Sequence, residues 1–171
     1  MDLMECDQTL LYFDDPIAPE IEVLIAKASD AYGNGGAETY LLQAYSLAPK
    51  QLVVLVALYR YYFYQHRLNN ALIIAEQALN VVGQRLDFHS GWLHLQTDHI
   101  EQVERSAVGL LRFYLLILKA SAYLHLRLGH YLEAQAQLEK LIELDSQDCL
   151  GGQMLLKWLP THKTVIATEE E

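Results

Sequence analysis

Small residues return in register along this chain, and that register restricts the possible folds more than any other feature. Ala37, Leu41, Ala44 and Pro49 stand in the same relative places as Ala71, Ala75, Ala78 and Gly83, each pair separated by one constant offset. The stretch "ALIIAEQAL", starting at Ala71, returns as "AQAQLEKLIEL" starting at Ala134. Leu55 precedes Ala71 by the same interval that separates Leu118 from Ala134. A period of about 34 residues, with helical spacing of apolar residues inside each unit, predicts stacked helical hairpins. Ala71, Ala78, Ala122 and Ala134 let neighbouring backbones approach, while Leu58, Tyr62, Leu118 and Leu138 fill the space around them. One hairpin cannot cover its own apolar face, so about three must stack.

Strand signals are almost absent, and helical spacing runs from about Pro19 to Leu159, which predicts an all-α domain. A chain of 171 residues is long enough to bury a core as one domain. It divides into an acidic N-terminal segment (1–18), a helical domain (19–159) and an acidic disordered tail (160–171). The first opening helix is expected at about 20–32. The interval from the second unit to the third exceeds one period, and the surplus reads as an insertion at 83–106. Within it, Asp98 and Glu101 predict a helix start, with the helix running, kinked, to Leu128. A short helix from Asp148 to Leu159 closes the stack.

Twelve Lys and Arg against twenty-two Asp and Glu give a formal charge of −10, which opposes nucleic acid and anionic membranes as partners. Cys6 and Cys149 lie near opposite ends, so neither a disulfide framework nor a thiolate metal site is expected. The N-terminus is acidic with no basic region, and the purest apolar run, Leu52 to Tyr59, is too short to span a bilayer. These features predict a soluble, cytoplasmic protein. "GNGG" (33–36) follows a helix rather than a strand and reads as a tight turn, not a phosphate cradle. No nucleophile or general-base motif stands out, so no enzyme and no cofactor are expected. His89, His94 and His99 recur at even spacing beside Asp87 and Asp98, a weak metal set because that spacing does not share one helical face. His125 is expected to pack in the core and Trp92 to wedge the insertion against the stack.

Leu55, Leu58, Tyr59 and Tyr62, then Ala71 and Ala75, resemble the tetratricopeptide (TPR) repeat pattern. Leu118, Ser121, Ala122 and His125, followed by "LGHYLEA" (128–134), resemble it again. The resemblance covers roughly 20–159. It implies a right-handed superhelix of three hairpins plus a C-terminal capping helix, with the insertion between hairpins two and three. "ALYRYYFYQHR" and "LLRFYLLILKASAYLHLRLG" also look like the small TPR proteins encoded among nitrogen-fixation genes, implying an accessory role around nitrogenase.

In TPR superhelices the first helices of the hairpins line a concave surface. On that register Arg60, Phe63 and Tyr64 share a side with Val53 and Val56, and Arg112, Leu116, Lys119, Tyr123 and Arg127 form a parallel stripe. No acid lies between Glu38 and Glu76, or between Glu104 and Glu133, although both windows hold cations. The expected site is a cationic, aromatic-rimmed groove of Arg60, Phe63, Tyr64, Arg112, Lys119, Tyr123 and Arg127. Its partner would be a protein segment that is acidic or anchored by an aromatic. The chain's own "LLYFDDP" (10–16) is a competing occupant. Other readings are a type III secretion-type TPR chaperone, a metal-handling protein using the insertion's histidines, and a homodimer.

Overall fold

The computed structural model describes residues 15–160. The residues before Asp15, with most of "LLYFDDP", and the tail after Pro160 lie outside the described residues. The architecture is all-α, and among the described residues there is no strand. The helices are α1 Pro19–Asp30, α2 Ala37–Leu47, α3 Leu52–Tyr64, α4 Leu68–Arg85, α5 Thr97–Glu101, α6 Val108–Leu128, α7 Tyr131–Leu144 and α8 Gly152–Leu156.

Three hairpins, α1–α2, α3–α4 and α6–α7, pack in chain order, with α2 against α3, α4 against α6 and α8 against α7. Ala37, Ala71 and Ala134 occupy equivalent places in the second helix of each hairpin, and all three are completely buried. A side chain larger than a methyl there would push the paired helices apart. Tyr59, Leu58, Leu118 and Leu138 are buried between them as the repeat predicts. Helices α4 and α6 run antiparallel: Gly83 approaches Tyr114, and Glu76 stands 3.9 Å from His125.

Local chemistry sets the helix ends. α1 starts with Pro19 and carries Glu20 and Glu22 in its first turn, where a fixed φ and negative charge suit the N-terminus. Gly35 turns the chain into α2 at φ 79°, so "GNGG" is a tight turn as expected. Helices α3, α4 and α6 all close with the same pair of backbone hydrogen bonds. Arg67 N–H reaches Tyr62 O (2.9 Å), Phe88 N–H reaches Gly83 O (2.8 Å) and His130 N–H reaches His125 O (2.9 Å). Each is accompanied by the second, inner hydrogen bond of a Schellman cap, and each needs one left-handed residue: His66 (φ 56°), Asp87 (φ 59°) and Gly129 (φ 79°).

Several sequence expectations are corrected. The helix expected from Asp98 to Leu128 is two helices, because residues 102–104 leave the helical path and Glu104 is extended (φ −58°, ψ 147°). The cap of the first is not Asp98 with Glu101 but Gln96 with His99, whose Nδ1 accepts Gln96 N–H at 3.0 Å. α4 runs to Arg85, so its last turn overlaps the first residues of the expected insertion (83–106). The closing helix is shorter than Asp148–Leu159. Asp148 (φ 49°) and Gly151 (φ 69°) are left-handed, and the Asp148 carboxylate accepts Gln153 N–H, so α8 starts at Gly152. Leu159 precedes Pro160, which disfavours helix there.

Trp92 does wedge the insertion. It is partly buried against the core, and Phe88 stacks edge-on to Tyr114 at 5.4 Å. Leu95 is buried, and Lys140 Nζ on α7 donates to its carbonyl at 2.8 Å. The insertion is thereby tied to the third hairpin on two helices. By length and composition, Arg105–Leu128 is apolar enough to cross a bilayer. It contains the central helix of the stack, α6, held between α4 and α7, and 61% of its apolar window is buried.

Candidate functional site

Helices α1 and α3 stand side by side, joined mainly through α2, and the space between them is a cleft of about 650 Å³. On α3 the lining is Val53, Val56, Ala57, Arg60 and Tyr64, a stripe at i, i+3, i+4, i+7 and i+11. This is the face the sequence assigned to Val53, Val56, Arg60 and Tyr64. On the other wall stand Ile25, Ala28, Ser29 and Tyr32, and Leu41 of α2 closes the floor. The cleft is therefore apolar along its base. Among the described residues its polar groups are Ser29, two tyrosines and one arginine, and the lining contains no carboxylate. Tyr32 is held edge-on to Tyr61 at 5.6 Å.

Sequence reasoning misses the α1 wall. Its signal is present in the spacing of Ile21, Ile25 and Ala28. The unusual turn after Asp30 hides the register, because a single 3-10 turn at Tyr32–Asn34 replaces the cap used by the other hairpins.

The remaining candidates fall into two groups outside the cleft. Phe63 faces the third hairpin. It stacks on Tyr59 (5.9 Å), meets Tyr64 edge-on (5.6 Å) and reaches Tyr123 of α6 at 6.3 Å. Arg127 donates to the Tyr123 hydroxyl at 2.9 Å and lies 5.7 Å from that ring. These aromatics bridge α3 and α6 and extend the rim beyond Tyr64. Arg112 is exposed toward the start of α6, and Lys119 is half-buried beside Gly151 at the entry to α8. Among the described residues Arg112, Lys119 and Arg127 are not paired with a carboxylate.

One cation of the acid-free windows belongs elsewhere. Arg67 is bound by Glu38 at 2.6 Å and covers the Tyr62 ring at 4.7 Å. Tyr62 also donates to Glu38 at 3.2 Å, and its pKa is raised by burial and by that carboxylate. The acid at the edge of the first window thus folds back onto the window's own arginine.

The insertion histidines do not converge. His89 lies 3.7 Å from Asp87, His94 contacts Ser90 O at 2.9 Å, and His99 caps α5. Among the described residues no group of three His, Cys, Asp or Glu is arranged to hold a metal ion. His125 packs as expected, with Nδ1 3.2 Å from Nδ1 of His130. Burial, followed by the neighbouring His130, lowers its pKa, while Glu133 opposes that shift.

A relative described as an uncharacterized 19.8 kDa protein in the nifW 5' region of Azotobacter chroococcum mcd 1 is 45% identical over 166 residues. The match covers 97% of this chain and 93% of the relative. The chain belongs to that protein's family. No model of a described protein family matches the chain, and no solved structure matches it. The match runs almost end to end, so it takes in the whole helical stack, the cleft and the insertion together.

Proposed function

We propose that this protein is a non-enzymatic, TPR-type adaptor or assembly chaperone that holds a segment of another protein between α1, α3 and α6, in the service of nitrogen fixation. The observation that carries the reading is the cleft: about 650 Å³, apolar at its base and rimmed by Tyr32, Arg60 and Tyr64. Among the described residues its lining is free of carboxylates, in a chain of net charge −10. Concave sites of this size and lining suit a bound partner. Buried Tyr and Arg anchors dominate such affinities, with exposed cations adding rate and orientation. The Phe63–Tyr123–Arg127 bridge lengthens the surface toward the third hairpin. The link to nitrogen fixation rests on the relative from the nifW 5' region.

The test is capture of partners from a nitrogen-fixing culture of the native host. Wild type is compared with the Arg60→Glu/Tyr64→Ala double variant and with Lys119→Glu/Arg127→Glu. The expected result is a specific protein held by wild type and reduced at least tenfold by the cleft variant, with an unchanged helical spectrum. Equal capture by wild type and the cleft variant refutes the assignment.

A further inference from the structure

A second cavity, of about 320 Å³, lies where the end of α4, the start of the insertion and α6 meet. We infer that it binds an uncharged nitrogen heterocycle of the nucleobase class. The site shares no lining residue with the α1–α3 cleft and does not depend on the docking reading. Asn80 and Gln84, one turn apart on α4, are exposed in the lining together with Ser90, whereas Trp92 is partly buried and Tyr114 buried. Gly83 lets α4 come close to Tyr114: a Cβ there would stand 3.3 Å from Tyr114 Cε2, tighter than ordinary contact.

Unpaired polar groups mark this cavity. Among the described residues, the side chains of Asn80, Gln84, Ser90, Trp92 and Tyr114 have no hydrogen-bond partner. Asn80, Gln84 and Ser90 are exposed, and water serves them. Tyr114 is 1% exposed, so its hydroxyl is the group that needs a partner. Among the described residues, Ser121 Oγ and Gln137 Oε1 are the side-chain atoms sealed from solvent without a partner, and the Tyr114 hydroxyl is not one of them. It therefore keeps an opening, and Tyr114 opens on this cavity. Burial raises the phenol's pKa, which keeps it protonated and able to donate.

The lining sets the chemical class. Among its described residues there is no Lys, Arg, Asp or Glu, and His89 lies 3.7 Å from the Asp87 carboxylate. A phosphate or carboxylate would enter without a counter-charge. Asn80 and Gln84 each offer a carboxamide donor beside an acceptor, the pairing that reads the edge of a base. Trp92 stacks on no other ring among the described residues, so a planar ligand can lie against it. The chain's charge of −10 opposes a polynucleotide but not a free base or nucleoside.

The experiment titrates the full chain with adenine, guanine and cytosine, their nucleosides and 5′-monophosphates, and naphthalene as a flat control without a polar edge. The exposed Trp158 is changed by Trp158→Phe, which leaves Trp92 as the single tryptophan and its fluorescence as the reporter. Isothermal calorimetry on the unaltered chain repeats each titration. The expected result is saturable quenching of Trp92 by at least one base and its nucleoside. Tyr114→Phe and the Asn80→Ala/Gln84→Ala pair should each weaken that binding roughly fivefold or more. Tyr114→Phe should leave the melting temperature of the free protein unchanged, because the hydroxyl it removes has no partner there. A fall in melting temperature shows that hydroxyl bonded within the protein and overturns the inference. No binding by any base or nucleoside, or binding that both sets of substitutions leave untouched, overturns the site. Naphthalene bound as tightly as the bases, or a monophosphate bound more tightly than its nucleoside, overturns the chemical class.

Discussion

His66 offers a direct test of the repeat register. The offset from His66 to Gly129 equals the offset from Ala71 to Ala134. Both residues close a Schellman cap in left-handed backbone, His66 at φ 56° and Gly129 at φ 79°. A residue with a Cβ in that region costs about 1–2 kcal/mol, whereas glycine adopts it without steric cost. Glycine also gains unfolded-state freedom, which returns about 0.5–1 kcal/mol. His66 is exposed, so its ring gives up little packing. His66→Gly should therefore stabilise the fold by roughly 0.5–1 kcal/mol, a rise in melting temperature of about 1–4 °C for a chain of this size. The reciprocal change, Gly129→Ala, meets no atom within 4 Å of the new Cβ, so strain alone acts and the melting temperature should fall. Thermal unfolding followed by circular dichroism measures both. If His66→Gly lowers the melting temperature, or Gly129→Ala raises it, the two turns are not equivalent caps and the shared register of the hairpins is wrong.

Two further outcomes follow from the core. Leu118→Ala removes a completely buried side chain at the centre of α6 and should cost about 2–5 kcal/mol, read as a shift in denaturant midpoint at constant slope. His125 has a folded-state pKa below its ordinary value of 6.5, so the unfolded chain takes up its proton first as pH falls. Its contribution is intact above pH of about 6.5 and lost progressively below it, toward the lowered folded value. His125→Gln should flatten stability between about pH 7 and 5, and an unchanged slope would contradict the assignment.

The fold is legible because small residues carry it. Ala37, Ala71 and Ala134 recur in register, and each is completely buried. Helix ends are harder to read. A scan for C-terminal glycine finds Gly129 but passes over His66 and Asp87, which hold the same backbone conformation at a strain the surrounding bonds maintain. The break at 102–104 has no Pro or Gly to announce it. Asp98 looks like a cap by residue type, yet the register of the turn assigns that role to Gln96 and His99. Propensity names which residues are able to cap; tertiary packing of the insertion on α7 decides which one does.

The site is readable to the depth that periodicity allows. A stripe at i, i+3, i+4 and i+7 fixes which α3 side chains share a face, so spacing alone places Val53, Val56, Arg60 and Tyr64 together. Spacing within one helix says nothing about which helix stands opposite. The α1 wall therefore escapes it, and Phe63, adjacent in sequence to Tyr64, faces Tyr123 instead of the cleft. Charge windows have the same limit. The absence of acids between Glu38 and Glu76 suggests that Lys50, Arg60 and Arg67 are all available, but Glu38 reaches back across the stack to Arg67. Linear charge density counts groups, whereas the field in a cleft depends on which groups pair off first. Arg60 and Tyr64 of α3 share one lining with Ile25, Ala28 and Ser29 of α1, a property of two helices taken together that neither one shows alone.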